Sequence, residues 1–344
     1  TDTAGPLGAN ASSLIDIYGG LRVEAGGSFK NFAGTGNFYN SINLHPLSTL
    51  IFQDTGSTTN FDRWDDSTGI NLDGSGLQIE AQTNNDNNRE TVGAISFDRG
   101  SRIILTVEGT GDAFLTAASI DRAAASTGAG SGRGTLVFAP SSSAAFGVTP
   151  TAGVAQTQAV FTTAPTTSSV SAVASMLPGY YVEGNAHRFV KNGANGILPV
   201  ADGDMVPFSA GMTAGSAVVN LTAATTLPDF NPVIFALRGG NFPLSSPTGA
   251  NNDATITFAG SGSDVGGVIS TASTFTINPN LKFGTDGLNE AIFYAGGNIQ
   301  LNGNLTAGSV TKFGTGTLVI ANDQSDAARG VGNGYSNGWV VNEG

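Results

Sequence analysis

Gly69-Ile70-Asn71-Leu72-Asp73-Gly74-Ser75-Gly76-Leu77-Gln78-Ile79-Glu80 contains two short apolar, polar, apolar phrases with a glycine corner between them. Alternation with period two puts Ile70 with Leu72, and Leu77 with Ile79, on one face of a strand. The same phrase returns as Gly93-Ala94-Ile95-Ser96-Phe97 with Ile103-Ile104-Leu105-Thr106-Val107. It is present earlier as Leu14-Ile15-Asp16-Ile17 with Leu21-Arg22-Val23-Glu24, and as Thr49-Leu50-Ile51-Phe52. Later copies are Thr135-Leu136-Val137-Phe138, Ala217-Val218-Val219-Asn220-Leu221, Thr255-Ile256-Thr257-Phe258, Asn298-Ile299-Gln300-Leu301 and Thr317-Leu318-Val319-Ile320.

Helical periodicity is nearly absent, so the chain reads as all-β. Strands of four or five residues with Gly or Asn corners fit either a right-handed parallel β-solenoid (β-helix) or a β-sandwich or jelly roll. The likeness of the phrases favours the solenoid, because strands of a sandwich differ by position. Asn at the corners adds to this, since it tolerates left-handed backbone and bonds to its equivalent in the next rung. At about 20 to 25 residues per rung and about 4.8 Å of rise, roughly a dozen rungs give a single rod about 60 Å long. The inward core expected is Leu50, Phe52, Ile70, Leu72, Ile95, Phe97, Leu136, Phe138, Leu318 and Ile320.

The expected organisation is solenoid over 1–178, an irregular segment projecting from the rod over 179–212, and solenoid again over 213–344. The middle segment opens on Gly179-Tyr180-Tyr181-Val182 and carries His187, Arg188, Phe189 and Lys191. It reads as a binding loop on a rigid scaffold or as a packing flap over one face.

Composition narrows function. The 344 residues include 14 Lys and Arg and 26 Asp and Glu, fewer together than the 49 Gly, and the net charge is −12. An acidic chain without a basic stripe is not a nucleic-acid binder. No Cys is present, which removes disulfides and thiolate chemistry. A sparsely charged surface wetted by Ser, Thr, Asn and Gln suits an extracellular protein. No apolar run is long enough for a transmembrane helix, and the start, Thr1-Asp2-Thr3-Ala4-Gly5, reads as that of a mature product or an excised piece.

Near the C-terminus, Thr311-Lys312-Phe313-Gly314-Thr315-Gly316-Thr317-Leu318, followed by Val341-Asn342-Glu343-Gly344, resembles the autotransporter-associated β-strand repeat. Asn60-Phe61-Asp62-Arg63-Trp64-Asp65-Asp66, Arg89-Glu90-Thr91-Val92-Gly93, Val160-Phe161-Thr162-Thr163-Ala164-Pro165 and Gly196-Ile197-Leu198-Pro199 look like segments accompanying it in long bacterial surface proteins. The resemblance implies a right-handed parallel β-helix at the bacterial cell surface or outside the cell, serving as a fibre, stalk or adhesin. The usual Thr-Tyr-Thr-Gly-Gly corner is replaced here by Gln324-Ser325-Asp326-Ala327-Ala328-Arg329-Gly330.

β-Helices also host polysaccharide lyases and hydrolases, which need carboxylates converging beside a cation. Asp62, Arg63, Trp64, Asp65 and Asp66 are the nearest candidate, as a glycan site or as a polar corner whose Arg pairs locally and whose Trp caps the coil. Tyr180 and Tyr181 are a second glycan candidate. Thr83-Asn84-Asn85-Asp86-Asn87-Asn88-Arg89-Glu90 and Asp202-Gly203-Asp204 carry oxygens of interest to Ca²⁺, although neither matches a calcium loop; no other cofactor or metal is expected. His45 and His187 lie in unlike contexts, and no nucleophile elbow is present. Gly34-Thr35-Gly36 and Gly109-Thr110-Gly111 read as corners. The expected function is a non-catalytic subunit that pairs with copies of itself through solenoid ends or flanks. A depolymerase and an adhesin for surface glycans are the alternatives.

Overall fold

The computed structural model describes residues 14–24, 41–54, 63–82, 87–124, 132–209, 211–227, 231–246, 254–262, 264–271, 273–321 and 338–343. The fold is all-β and built from parallel sheets. From Gly69 onward the chain visits three sheets in rotation: Gly69–Asp73 in the first, Gly76–Ala81 in the second and Asn87–Val92 in the third. Ile95–Asp98, Gly100–Val107 and Asp112–Ala117 then repeat the circuit one tier on.

Register keeps like beside like. Ile15, Ile42, Ile70, Ile95 and Ile120 are successive partners in the first sheet. Leu21, Leu50, Leu77, Ile103 and Phe138 run through the second. These columns face inward and are buried apart from partly buried Ile15 and Leu21 at the first tier. A one-residue slip would turn every one of them outward, so the pattern fixes the register. Corners between the first and second sheets turn through left-handed backbone at equivalent places, Leu47 (φ 66°), Gly74 (φ 63°) and Arg99 (φ 52°).

A second stack is built in the same way from 218 onward. One of its sheets orders Val218–Asn220, Ala236–Gly239, Val268–Ser270, Glu290–Ala295, Ser309–Phe313 and Trp339–Val341 as parallel neighbours. Two further sheets, including Thr274–Ile277 with Asn298–Leu301 and Thr255–Phe258 with Asn280–Phe283, complete its first four tiers.

The single rod is corrected by the way these stacks meet. The start of the C-terminal stack touches residues 172–187 and its later part touches residues 122–133, so it runs back along the N-terminal one. Ala172 N donates to Ser216 O, Arg238 Nε to His187 O, and Gly179 N to Val265 O. Arg122 grips Glu290, and Asn342 Nδ2 donates to Arg133 O. The inner strands of the six-stranded sheet lie at the junction with both faces covered. Ile269, Ile292, Tyr294 and Phe313 pack into the N-terminal core, while Val268, Phe293 and Val310 pack into the C-terminal one. Full burial of such side chains stabilises by about 1.5–3 kcal/mol each.

Residues 179–212 do not project. Tyr181–Glu183 joins the second sheet as the parallel neighbour of Thr135–Pro140, and the antiparallel strands Arg188–Gly193 and Gly196–Pro199 continue that sheet. Tyr180, Tyr181, Val182, Phe189, Val190 and Ile197 are buried. The segment is a flap clamped under the C-terminal stack. Of the expected core, Leu50, Phe52, Ile70, Leu72, Ile95, Phe97, Leu136 and Phe138 are buried. Leu318 and Ile320 are only partly so, because Leu318–Ile320 is an edge strand among the described residues. No helix among the described residues is long and apolar enough to cross a membrane.

Candidate functional site

Of the cluster at 62–66, Arg63 and Trp64 face inward. Asp62 lies outside the described residues. Arg63 and Trp64 are buried, and Trp64 packs edge-on against Phe52 at 5.7 Å, which leaves no ring face for a sugar. Arg63 Nε donates to Glu90 Oε1 (2.6 Å), its backbone N to Glu90 Oε2 (2.8 Å), and Nη2 to Asn88 Oδ1 (2.8 Å). Nη1 donates to Val23 O and Gln53 O. Asn88 Nδ2 in turn donates to Phe52 O (2.8 Å) and Glu80 O (2.9 Å). Burial pushes the Glu90 carboxyl above the ordinary glutamate value, against the pull of Arg63. Asp65 Oδ1 accepts from Ser67 N and Oγ and so closes its own turn, while Asp66 is exposed. The Arg pairs at a distance in sequence, with a glutamate from a different tier.

Tyr180 and Tyr181 border a cleft of ≈ 420 Å³ between the stacks, together with Asp121, Arg122 and Glu290. Arg122 Nη1 and Nη2 donate to Glu290 Oε2 (2.7 Å) and Oε1 (2.9 Å), and Nε donates to Gly134 O (2.8 Å). Thr311 Oγ1 also donates to Glu290. The Arg122 guanidinium lies 4.3 Å from the Tyr180 ring centroid, a cation–π contact. Burial raises the Tyr180 phenol to about 12 and moves Tyr181 well above the ordinary tyrosine value. These groups are occupied in bolting the stacks together.

The proposed calcium segments are similarly engaged. Residues 83–86 lie outside the described part, and Asn88 and Glu90 serve Arg63. Asp202 meets Arg188 (2.8 Å) and Arg238 (3.3 Å), and Asp204 meets Lys191 (2.5 Å). Hydrogen bonding from Lys191 holds Asp204 below the usual aspartate value.

The histidines occupy different settings. His187 Nδ1 lies 3.1 Å from Tyr294 Oη at the junction, and its ring fills the space where a Cβ at Gly296 would sit. Burial lowers its pKa. His45 stacks on Tyr18, with ring centroids 3.9 Å apart and planes 5° from parallel, and its Nε2 lies 2.9 Å from Asp16 Oδ1.

Two surface features remain, an end of the kind the sequence offered for self-pairing and a groove that it did not show. One is the end of the C-terminal stack, where Trp339 (42 % exposed) and Val341 (61 % exposed) take the register positions above buried Val310 and Lys312. Lys312 Nζ donates there to Gly314 O (2.5 Å) and Glu343 O (2.6 Å), and burial lowers its pKa. The other is an open groove of ≈ 1340 Å³ between Trp339–Glu343 and the corners of the N-terminal stack at Pro46–Thr49, Asp73–Gly76 and Asp98–Gly100. Comparison with known proteins found no matching family model, no matching curated protein and no matching solved structure.

Proposed function

We propose that the chain is a segment of a right-handed parallel β-solenoid of the autotransporter-associated repeat type. In this reading it is a non-catalytic structural element of a bacterial extracellular fibre, stalk or adhesin, and it joins copies of itself through the end of the C-terminal stack. The observation that carries the reading is that end: Trp339 and Val341 stand in core-facing register yet are exposed, beside partly buried Leu318 and Ile320. A further tier laid there would bury them and extend the parallel ladders. The use of Arg63, Glu90, Arg122 and Glu290 as internal ties supports a structural role for these charges.

The test is sedimentation velocity over rising concentration, with electron microscopy of the densest samples. Concentration-dependent association or filaments are expected, and Val341→Lys should suppress them. A chain that stays monomeric throughout and shows no filaments overturns the assembly reading.

A further inference from the structure

We propose that the groove along the N-terminal stack, with Leu47 in its wall and Tyr18 on the corner one tier before, stacked on His45, binds an extended neutral oligosaccharide. Its volume of ≈ 1340 Å³ exceeds the range of about 300–1,000 Å³ usual for small-molecule pockets, so it suits a chain-like ligand. One bank is a ladder of polar side chains on successive tiers. Asn43 Nδ2 donates to Asp16 Oδ1 (3.1 Å), Asn71 Nδ2 to Asn43 Oδ1 (2.8 Å), and Ser96 Oγ to Asn71 Oδ1 (2.6 Å). The ladder fixes each carboxamide, and each amide nitrogen carries a second N–H. Equivalent donors recur at the tier spacing of about 4.8 Å, a periodic arrangement that a polymer of repeating hydroxyls matches.

The apolar contacts lie at one end. Tyr18 is 76 % exposed although one ring face lies flat on His45, so the other face is open. His45 is itself held by Asp16. An aromatic face fixed before binding loses little freedom when a pyranose ring stacks its C–H face there. Two residues on, Leu47 is 94 % exposed with φ 66°, a backbone region that disfavours leucine, where the next tier has Gly74. The left-handed backbone belongs to the corner itself, shared with Gly74 and Arg99, and the exposed leucine on it adds apolar surface to the wall of the groove.

Charge selects the ligand class. Asp73, Asp98 and Glu343 line the groove against Arg99 and Arg102, and these guanidiniums are engaged by Asp73 and Glu343. In a chain of net charge −12 this excess of carboxylate disfavours acidic polymers.

The test is calorimetric titration of the full chain with neutral hexasaccharides of the β-glucan, α-glucan and chitin series, and with oligogalacturonate as the acidic comparison. At least one neutral series is expected to bind, and more tightly than oligogalacturonate. Tyr18→Ala and Leu47→Asp are each expected to weaken binding about tenfold, and Tyr18→Phe to retain it. Both residues are exposed, so circular dichroism of the variants should match the parent. The site is overturned if no neutral series binds, if oligogalacturonate binds as well, or if both variants bind like the parent. Loss of a self-association in Tyr18→Ala, with no saccharide bound by the parent, would assign the groove to a second copy and likewise overturn it. Trp339 and Val341 line the groove as well as the assembly end, so the titration is run at concentrations where the chain is monomeric, and Tyr18→Ala and Leu47→Asp, which leave that end intact, separate the two readings.

Discussion

The N-terminal stack seals Arg63, Glu90 and Asn88 inside its early tiers, whereas the C-terminal stack is filled there by phenylalanine. Phe258 and Phe283 lie face to face at 4.4 Å, and Phe283 meets Phe293 edge-on at 5.7 Å. The difference follows the backbone. In the early N-terminal tiers the strands Gly20–Glu24 and Thr49–Asp54 precede any third-sheet strand among the described residues, and the carbonyls of Val23, Phe52 and Gln53 end inside the stack. Arg63 and Asn88 supply the donors that these buried carbonyls need. Middle tiers of the C-terminal stack have strands on all three sides, and apolar packing suffices.

Removing one member of the ion pair should have the largest effect. Glu90→Ala leaves the Arg63 guanidinium buried without its carboxylate and is expected to cost about 3–5 kcal/mol in denaturant unfolding. Buried ion pairs can often be exchanged for apolar pairs at no loss. Here Arg63→Met with Glu90→Leu should remain destabilised, because Val23 O and Gln53 O lose their donor. Full recovery of stability in that double variant would break the contrast between the stacks.

The bolt between the stacks ranks next. Arg122 is 11 % exposed in its pair with Glu290, and Arg122→Ala should cost about 1–3 kcal/mol. Amide exchange should rise in Glu290–Ala295 and Tyr181–Glu183 while Gly76–Ala81 stays protected. Uniform acceleration would mean that the stacks open as one unit.

A smaller, pH-dependent effect is expected at His187. Burial lowers its folded pKa, so its contribution is complete above the ordinary histidine value and is lost as pH falls through the depressed one. Between about pH 7 and pH 5 the melting temperature should fall, and His187→Asn should flatten that part of the profile. The neighbouring groups Glu183, Arg238 and Tyr294 remain in the variant, so an unchanged slope would assign the effect to them.

Strand class and local register were legible in the sequence because one face of each early strand is polar. Gly69–Asp73 and Ile95–Asp98 alternate, and their inward residues Ile70, Leu72, Ile95 and Phe97 could be named. The fold-back was not. Its signal was nevertheless present in Ala291-Ile292-Phe293-Tyr294-Ala295, an unbroken apolar run that marks a strand buried on both faces. Val268-Ile269 and Val233-Ile234-Phe235-Ala236-Leu237 say the same. The cluster at 62–66 was read as residues near one another in sequence, but its chemistry depends on Asn88 and Glu90, which only the tier spacing brings to Arg63. Tyr18 and His45 belong to different tiers, and nothing local joins them.

The side-by-side arrangement is tested most directly by placing cysteines at Arg122 and Glu290 in this cysteine-free chain and treating dilute protein with a short bismaleimide. These residues are 168 apart in sequence and 2.7 Å apart at their side chains. An intramolecular cross-link joining the two peptides, found by mass spectrometry in the monomer, is the expected result. A single straight rod would separate them by about seven tiers, on the order of 30 Å, and no cross-link in folded monomer would contradict the fold-back.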